Sequence, residues 1–327
     1  MILNGIRRCF QVQTFFILIG AIILFLLIIL LVFGAILFYV VCSRDGKLVS
    51  RIIATGGAEI LSGYSDEIKK GQEILQSREK SEIAIKSDDG LNLHGTFVKG
   101  DDVRRTIICV HGYHGSPMHD FSLATEALLK CGNLLFVDQR SHGKSEGKYI
   151  TFGVRECKDC KAWADFLSSK MGEGHPIYLD GVSMGGTTVL MASALELPQN
   201  VKGIIADCSF TSPYEIISCI SKRLFKREPR LLIASVDLYC RVFAGFSLNE
   251  NSTVRAMEKN RLPILFAHGT GDSLVPHSMS QAAYDACRSS KNIILAKDAE
   301  HGLSYVIDTK RYSDAMYNLF KICEKTA

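Results

Sequence analysis

Ser183 stands in the pentapeptide Gly181-Val182-Ser183-Met184-Gly185. A strand-like stretch at 176–180 precedes it, and after Gly186 a helix-like stretch runs to residue 197. A serine at such a strand-to-helix elbow is lifted out of the sheet with its hydroxyl exposed. Gly181 and Gly185 remove Cβ atoms that would clash in so tight a turn. A serine hydroxyl is a poor nucleophile at neutral pH, so it needs a base within hydrogen-bond reach. That base needs an acid to fix its tautomer and stabilise the imidazolium.

Both partners are available downstream, in the order serine, acid, histidine that accompanies an elbow of this kind. Asp272 closes the run Ala267-His268-Gly269-Thr270-Gly271-Asp272 directly after a strand-like stretch, and His301 lies in Asp298-Ala299-Glu300-His301-Gly302 after the next one. Both fall on loops at the carboxyl ends of parallel strands, where ligands bind in open α/β sheets. Asp207, at the end of the strand after the elbow, is a rival acid. Asp298 and Glu300 are expected to point to solvent.

Acyl chemistry also needs donors for a developing oxyanion. The Met184 N–H, at the start of the helix after the elbow, is one. The other is expected from the loop His111-Gly112-Tyr113-His114-Gly115-Ser116, with the Tyr113 N–H as candidate. His111 and His114 lack a nearby carboxylate and read as structural, not as metal ligands. The segment Asp138-Gln139-Arg140-Ser141-His142-Gly143 reads as a buried polar brace.

These residues need a scaffold, and the pattern around them describes one. Residues 81–98 alternate about Asp88-Asp89-Gly90, the mark of a hairpin. Apolar, β-branched runs follow at 106–110, 133–137, 176–180, 201–206, 263–267 and 292–296, separated by helical stretches at 120–130, 154–170 and 311–325. Short apolar strands alternating with helices mean a mostly parallel sheet covered on both faces. Residues 211–262 break the rhythm with helical patterns at 214–225 and 231–246 and read as an inserted cap.

The chain has 327 residues, 47% hydrophobic and 22% charged, enough for one large or two small domains. Residues 15–41 are uncharged and almost wholly apolar, broken only by Gly20 and Gly34. That is long enough to cross a hydrocarbon core of about 30 Å as a helix. A cleavable signal would have an apolar core of roughly 7–15 residues and a small-x-small site, neither of which is present. The expected division is a short segment at 1–14, a transmembrane anchor at 15–41, a juxtamembrane connector at 42–80 and a globular domain at 81–327. Arg7 and Arg8 before the span stand against Arg44, Lys47 and Arg51 after it; the amino terminus evens the score, so the side of the membrane stays open.

Cys9 and Cys42 flank the span, which leaves nine of the 11 cysteines downstream, an odd number without framework spacing. This resembles a reduced protein more than a disulfide scaffold. Cys157 and Cys160 read as neighbours on a helix, not a redox or zinc pair. The net charge of +4 comes from dispersed lysines and arginines, with no basic stripe of the kind nucleic-acid binding requires.

From about residue 81 onward the chain resembles the α/β-hydrolase fold superfamily, and within it the bacterial membrane-anchored hydrolases of the Bem46 and serine-aminopeptidase-like group. The resemblance is carried by His111-Gly112-Tyr113-His114-Gly115-Ser116, Asp138 to Ser145, Gly181-Val182-Ser183-Met184-Gly185-Gly186, His268-Gly269-Thr270-Gly271-Asp272 and Glu300-His301-Gly302. It implies Ser183 as nucleophile, Asp272 as acid, His301 as base, Tyr113 and Met184 as oxyanion donors, and neither metal nor organic cofactor. The expected activity is hydrolysis of a small-molecule or lipid-like carboxylic ester. A peptidase or amidase is the alternative, with Glu215 as a possible carboxylate for a free amino terminus; a non-catalytic binding protein is a further one.

Overall fold

The computed structural model describes residues 2–46 and 63–325; residues 47–62 of the expected connector lie outside them. Helix α1 spans Ile2–Cys42 and α2 spans Ser65–Ser77. The hairpin follows as β1 (Lys80–Lys86) and β2 (Asn92–Val98), paired antiparallel from Lys80↔Val98 to Lys86↔Asn92. Then come β3 (Thr106–Val110), α3 (Pro117–Asp120), a 3-10 turn at Ser122–Ala124, α4 (Thr125–Cys131), β4 (Asn133–Val137) and α5 (Glu156–Met171). The elbow joins β5 (Ile177–Val182) to α6 (Met184–Ala192), and β6 spans Val201–Asp207. Four helical pieces intervene: α7 (Pro213–Phe225), α8 (Arg230–Tyr239), a π-helical turn at Cys240–Ala244 and α9 (Thr253–Lys259). The chain closes with β7 (Ile264–Gly269), α10 (Ser278–Ala286), β8 (Lys291–Ala296), α11 (Ser304–Ile307) and α12 (Thr309–Lys325).

The eight strands form one sheet in the order β1-β2-β4-β3-β5-β6-β7-β8. β2 joins β4 antiparallel, and from β4 to β8 every pairing is parallel. Alternation along the strands sorts the core into two layers, because successive side chains leave opposite faces. Ile108, Leu135, Leu179, Ile204 and Phe266 pack with Trp163, Leu167 and Leu190 of α5 and α6. Ile107, Leu134, Tyr178, Ile205 and Leu265 pack on the other face with Leu75, Leu128 and Phe320 of α2, α4 and α12. Cys157 and Cys160 of α5 are buried free thiols in the first layer.

Two expected helices are redrawn. The stretch at 120–130 is split at Phe121, whose φ of −96° and ψ of 0° leave the α-helical range just after Asp120, and the Asp120 carboxylate accepts the Gly112 N–H at 2.8 Å. The helix expected at 231–246 stops being α-helical after Tyr239 and ends at Gly245, whose φ of +67° suits a residue without a Cβ. Within 211–262, buried residues of α7, α8 and the π turn cluster with Phe38, Phe152, Met184 and Phe210, whereas Ala256 and Met257 of α9 sit in the main core.

The last turns of α1 are part of the globular body. Side chains from residue 11 to residue 29 are exposed, but Gly34, Phe38 and Cys42, spaced four apart, are buried. An added Cβ at Gly34 would collide with the Ser235 side chain of α8. Phe38 lies 6.1 Å from both Tyr239 and Phe243, and the Cys42 and Cys240 sulfurs are 3.8 Å apart. The Cys42 carbonyl accepts the Ile150 N–H at 2.6 Å, and Arg44 reaches the Ser145 and Gly143 carbonyls.

Candidate active site

β5 delivers Ser183 to the carboxyl edge of the sheet in a conformation few side chains adopt, φ 58° and ψ −118°. Such a backbone costs on the order of 1–3 kcal/mol and persists only when its surroundings over-determine it. Here they do. The Ser183 N–H donates to the Asp207 carbonyl at 2.8 Å. A Cβ at Gly181 would run into the Gly185 backbone, and one at Gly185 into the Val110 carbonyl. The two glycines therefore let α6 start hard against β3.

The loops after β7 and β8 meet this serine. His301 Nε2 lies 2.9 Å from Ser183 Oγ, and His301 Nδ1 lies 2.7 Å from Asp272 Oδ2. Asp272 is held from all sides. Its Oδ1 accepts the Leu274 and Val275 N–H groups at 2.9 and 2.8 Å, and its Oδ2 also accepts from His268 Nε2 at 3.0 Å. Burial works to raise the Asp272 pKa, but hydrogen bonds from His268 and His301 and the charge of His301 outweigh it and keep the carboxylate ionised.

His301 moves the other way. Burial favours its neutral form, yet its pKa stands well above 6.5, held there by Cys208 and Asp272. Cys208 Sγ is 3.8 Å from Nε2, but burial pushes that thiol up to about 11, so it is uncharged at neutral pH. The Asp272 carboxylate is the charge that raises the imidazole. Asp207, the rival acid, accepts instead from Ser304 Oγ at 2.7 Å.

Tyr113 and Met184 flank the serine. A Cβ on the neighbouring Gly112 would sit 3.3 Å from Ser183 Cβ, which places the 111–116 loop directly over the elbow. Among the described residues, neither the Tyr113 nor the Met184 amide donates to a carbonyl in the surrounding turns and loops. His111 and His142 brace this loop with their rings 4.7 Å apart. His111 Nε2 accepts the Gln139 N–H, which leaves Nδ1 as the donor to the Gly112 carbonyl at 2.7 Å. His142 Nε2 accepts the His114 N–H at 3.0 Å. Arg140 forks onto Asp159 and Asp89. No three His, Cys, Asp or Glu side chains among the described residues converge as a metal site.

Two expectations are corrected in detail. Asp298 is exposed, but Glu300 turns back to accept from Ser273 N and Oγ at 3.1 and 2.9 Å, tying the His301 loop to the Asp272 loop. Glu215 lines a polar surface cavity of about 510 Å³ with Asn249, Asn251 and Arg255, and neither Ser183 nor His301 lines it. Sequence reasoning also missed His268 as a partner of Asp272. The signal was a histidine inside an otherwise apolar strand, where a buried ring nitrogen must find a partner.

An eight-stranded, mostly parallel sheet with helices on both faces and a serine on the elbow after β5 defines an α/β-hydrolase fold. Solved structures of that fold superpose on the chain. An esterase of Pyrococcus furiosus matches with a TM-score of 0.60 at 23% identity, over 76% of this chain and 92% of that one. The acylaminoacyl peptidase of Pyrococcus horikoshii matches with a TM-score of 0.55 at 18% identity, over 75% of this chain and 42% of that one.

In sequence, residues 101–235 match the profile of the family Hydrolase_4, described as serine aminopeptidase, S33. The protein YqkD of Bacillus subtilis (strain 168) is 26% identical over 281 residues, covering 82% of this chain and 92% of the relative. Together these likenesses support a hydrolase.

Proposed function

We propose that the chain is a membrane-anchored serine hydrolase that cleaves carboxylic esters through an acyl-enzyme. The observation that carries this reading is the unbroken hydrogen-bonded chain from Ser183 Oγ through His301 to Asp272. His301 Nε2 takes the serine proton as Oγ attacks the ester carbonyl. The oxyanion is held by the Tyr113 and Met184 N–H groups. His301 then returns the proton to the departing alcohol, and water repeats the sequence to release the acid. Asp272 stays ionised throughout and stabilises the imidazolium.

The ester preference rests on the surroundings. Met184, Phe152, Phe210, Ile216, Ile233 and Phe246 pack between cap and elbow in one apolar cluster, which suits an acyl chain. The anchor reading rests on α1, in which an 18-residue window within Gln11–Cys42 reaches a mean hydropathy of 3.5. The family profile's description and the acylaminoacyl peptidase favour a second reading, amide cleavage by the same residues. Glu215, in a separate cavity, does not strengthen it.

The test uses full-length protein in detergent, with Ser183→Ala beside it. It is assayed against p-nitrophenyl esters of increasing chain length, an aminoacyl anilide and a fluorophosphonate probe. Ester turnover and probe labelling that vanish in Ser183→Ala are expected. Faster anilide than ester turnover would move the protein to the peptidases. Absence of both turnover and labelling in the wild type would sink the hydrolase reading.

A further inference from the structure

α1 and α8 run side by side in the same direction: Gly34 packs on Ser235, and Phe38 one turn later faces Tyr239. Leu231 precedes Ser235 by as many residues as Leu30 precedes Gly34, so the α7–α8 corner lies at the level of residue 30. At about 1.5 Å per residue, the apolar run 15–41 extends roughly 40 Å. A hydrocarbon core is about 30 Å thick, so roughly seven residues project beyond it. They belong to the turns that dock on the body, which brings the corner to the acyl boundary at the edge of the bilayer.

The corner has the composition of an interfacial element. Residues 222–231 read Lys-Arg-Leu-Phe-Lys-Arg-Glu-Pro-Arg-Leu, five basic side chains against one acid. Leu224 and Leu231 are 68% and 74% exposed, and Phe225 is exposed beside them. Lys226 and Arg227 are exposed and form no ion pair among the described residues. Glu228 is already engaged by Tyr214, Ser218 and Arg230. Apolar tips among cationic side chains fit a headgroup layer of anionic lipid, where the tips enter the acyl boundary and the charges meet phosphates.

We propose that the α7–α8 corner is a second membrane-binding element, which seats the cap on an anionic bilayer surface beside the anchor. This rests on the reading of α1 as a membrane span. The cap is thereby held at the bilayer surface, and a substrate leaving the bilayer meets the cap before it meets water.

The experiment places a tryptophan in the full-length protein, reconstituted into vesicles that contain brominated phosphatidylcholine, with or without phosphatidylglycerol. The native Trp163 is buried in the core and supplies a constant background. Three variants are compared: Leu231→Trp at the corner, Ile23→Trp in the exposed part of α1, and Met171→Trp. Met171 ends α5 ahead of β5, at the opposite edge of the sheet.

Ile23→Trp and Leu231→Trp should both be quenched and Met171→Trp should not. Quenching of Leu231→Trp should grow at least twofold with phosphatidylglycerol, and Lys226→Glu/Arg227→Glu should remove at least half of it. If Ile23→Trp is quenched but Leu231→Trp matches Met171→Trp, the corner proposal fails while the anchor stands. If neither is quenched, the anchor reading fails and takes the corner with it. A blue-shifted, unquenched Leu231→Trp would overturn the proposal in favour of a protein partner.

Discussion

The Tyr113 hydroxyl donates to the Val41 carbonyl oxygen at 2.7 Å. Val41 belongs to the last turn of α1, where carbonyls have no partner inside the helix. Tyr113 also carries the proposed oxyanion amide, so one residue joins the end of α1 to the proposed reacting centre. Tyr113→Phe keeps that amide and the ring, which stacks 5.4 Å from Phe152, but leaves Val41 short of a donor. A net hydrogen bond of this kind contributes about 0.5–1.5 kcal/mol. The variant should unfold at a lower temperature in proportion, with kcat reduced several-fold and KM little changed. Wild-type kcat in Tyr113→Phe would mean that the tyrosine only caps the helix.

Asp272→Asn should reduce kcat by roughly four orders of magnitude, because an amide donates where His301 Nδ1 needs an acceptor and so favours the wrong tautomer. Asp207 is committed to Ser304 and cannot take over. Steady-state ester turnover measures this. Loss of the same size in Asp207→Asn, with Asp272→Asn nearly active, would reverse the assignment of the acid.

His268→Phe tests the support beneath Asp272. The ring is fully buried, and its Nδ1 also bonds Ser280 Oγ at 2.7 Å. Removing the imidazole strips a donor from the buried Asp272 carboxylate and leaves Ser280 with Ser209 alone, at a cost of about 1–3 kcal/mol in stability. Since the His268 hydrogen bond lowers the Asp272 pKa, its loss should raise that pKa. The turnover of His268→Phe at its optimal pH should fall about tenfold. An unchanged pH profile and rate would make His268 a packing residue only.

The pH dependence has a definite sign. His301 must be neutral to accept the serine proton, and its pKa stands well above 6.5. The rising limb of kcat/KM should therefore lie on the alkaline side of 6.5 and fall away as pH drops through it. The same shift adds folding stability that is fully present below pH 6.5 and is lost as pH rises through the folded-state value. An ester-hydrolysis profile with its rising limb below 6.5 would contradict the charge pairing with Asp272.

What was legible in the sequence were features written in local pattern. Ser183 announced itself because its flanking glycines, strand and helix are contiguous, and the parallel strands because Ile, Val and Leu run unbroken where both faces are buried. What was not legible depends on contacts between distant segments. Nothing in 15–41 distinguishes a helix that merely tethers from one whose last turns pack on α8. Glu300 was expected in solvent because its partner, Ser273, lies on another loop. Helix breaks at Phe121 and Tyr239 escaped for the same reason: the Asp120 carboxylate before the first break serves Gly112 on another loop, and the π turn after the second brings Cys240 against Cys42.

The docking of α1 makes its glycines Gly20 and Gly34 unequal, and that inequality is measurable. A Cβ at Gly20 would meet nothing within 4 Å, whereas one at Gly34 meets Ser235. Leucine suits an apolar helix equally well at either position, so helix formation and membrane insertion should not separate the two variants. Packing should. Gly34→Leu forces α1 and α8 apart, and overpacking of this kind costs typically about 1–3 kcal/mol. The movement would also draw Val41 away from the Tyr113 hydroxyl. Gly34→Leu should therefore lose ester turnover at a temperature several degrees lower than wild type, while Gly20→Leu inactivates with the wild type. Equal inactivation temperatures for all three would reduce α1 to a tether and would remove the register between α1 and α8 that brings the cap corner to the membrane.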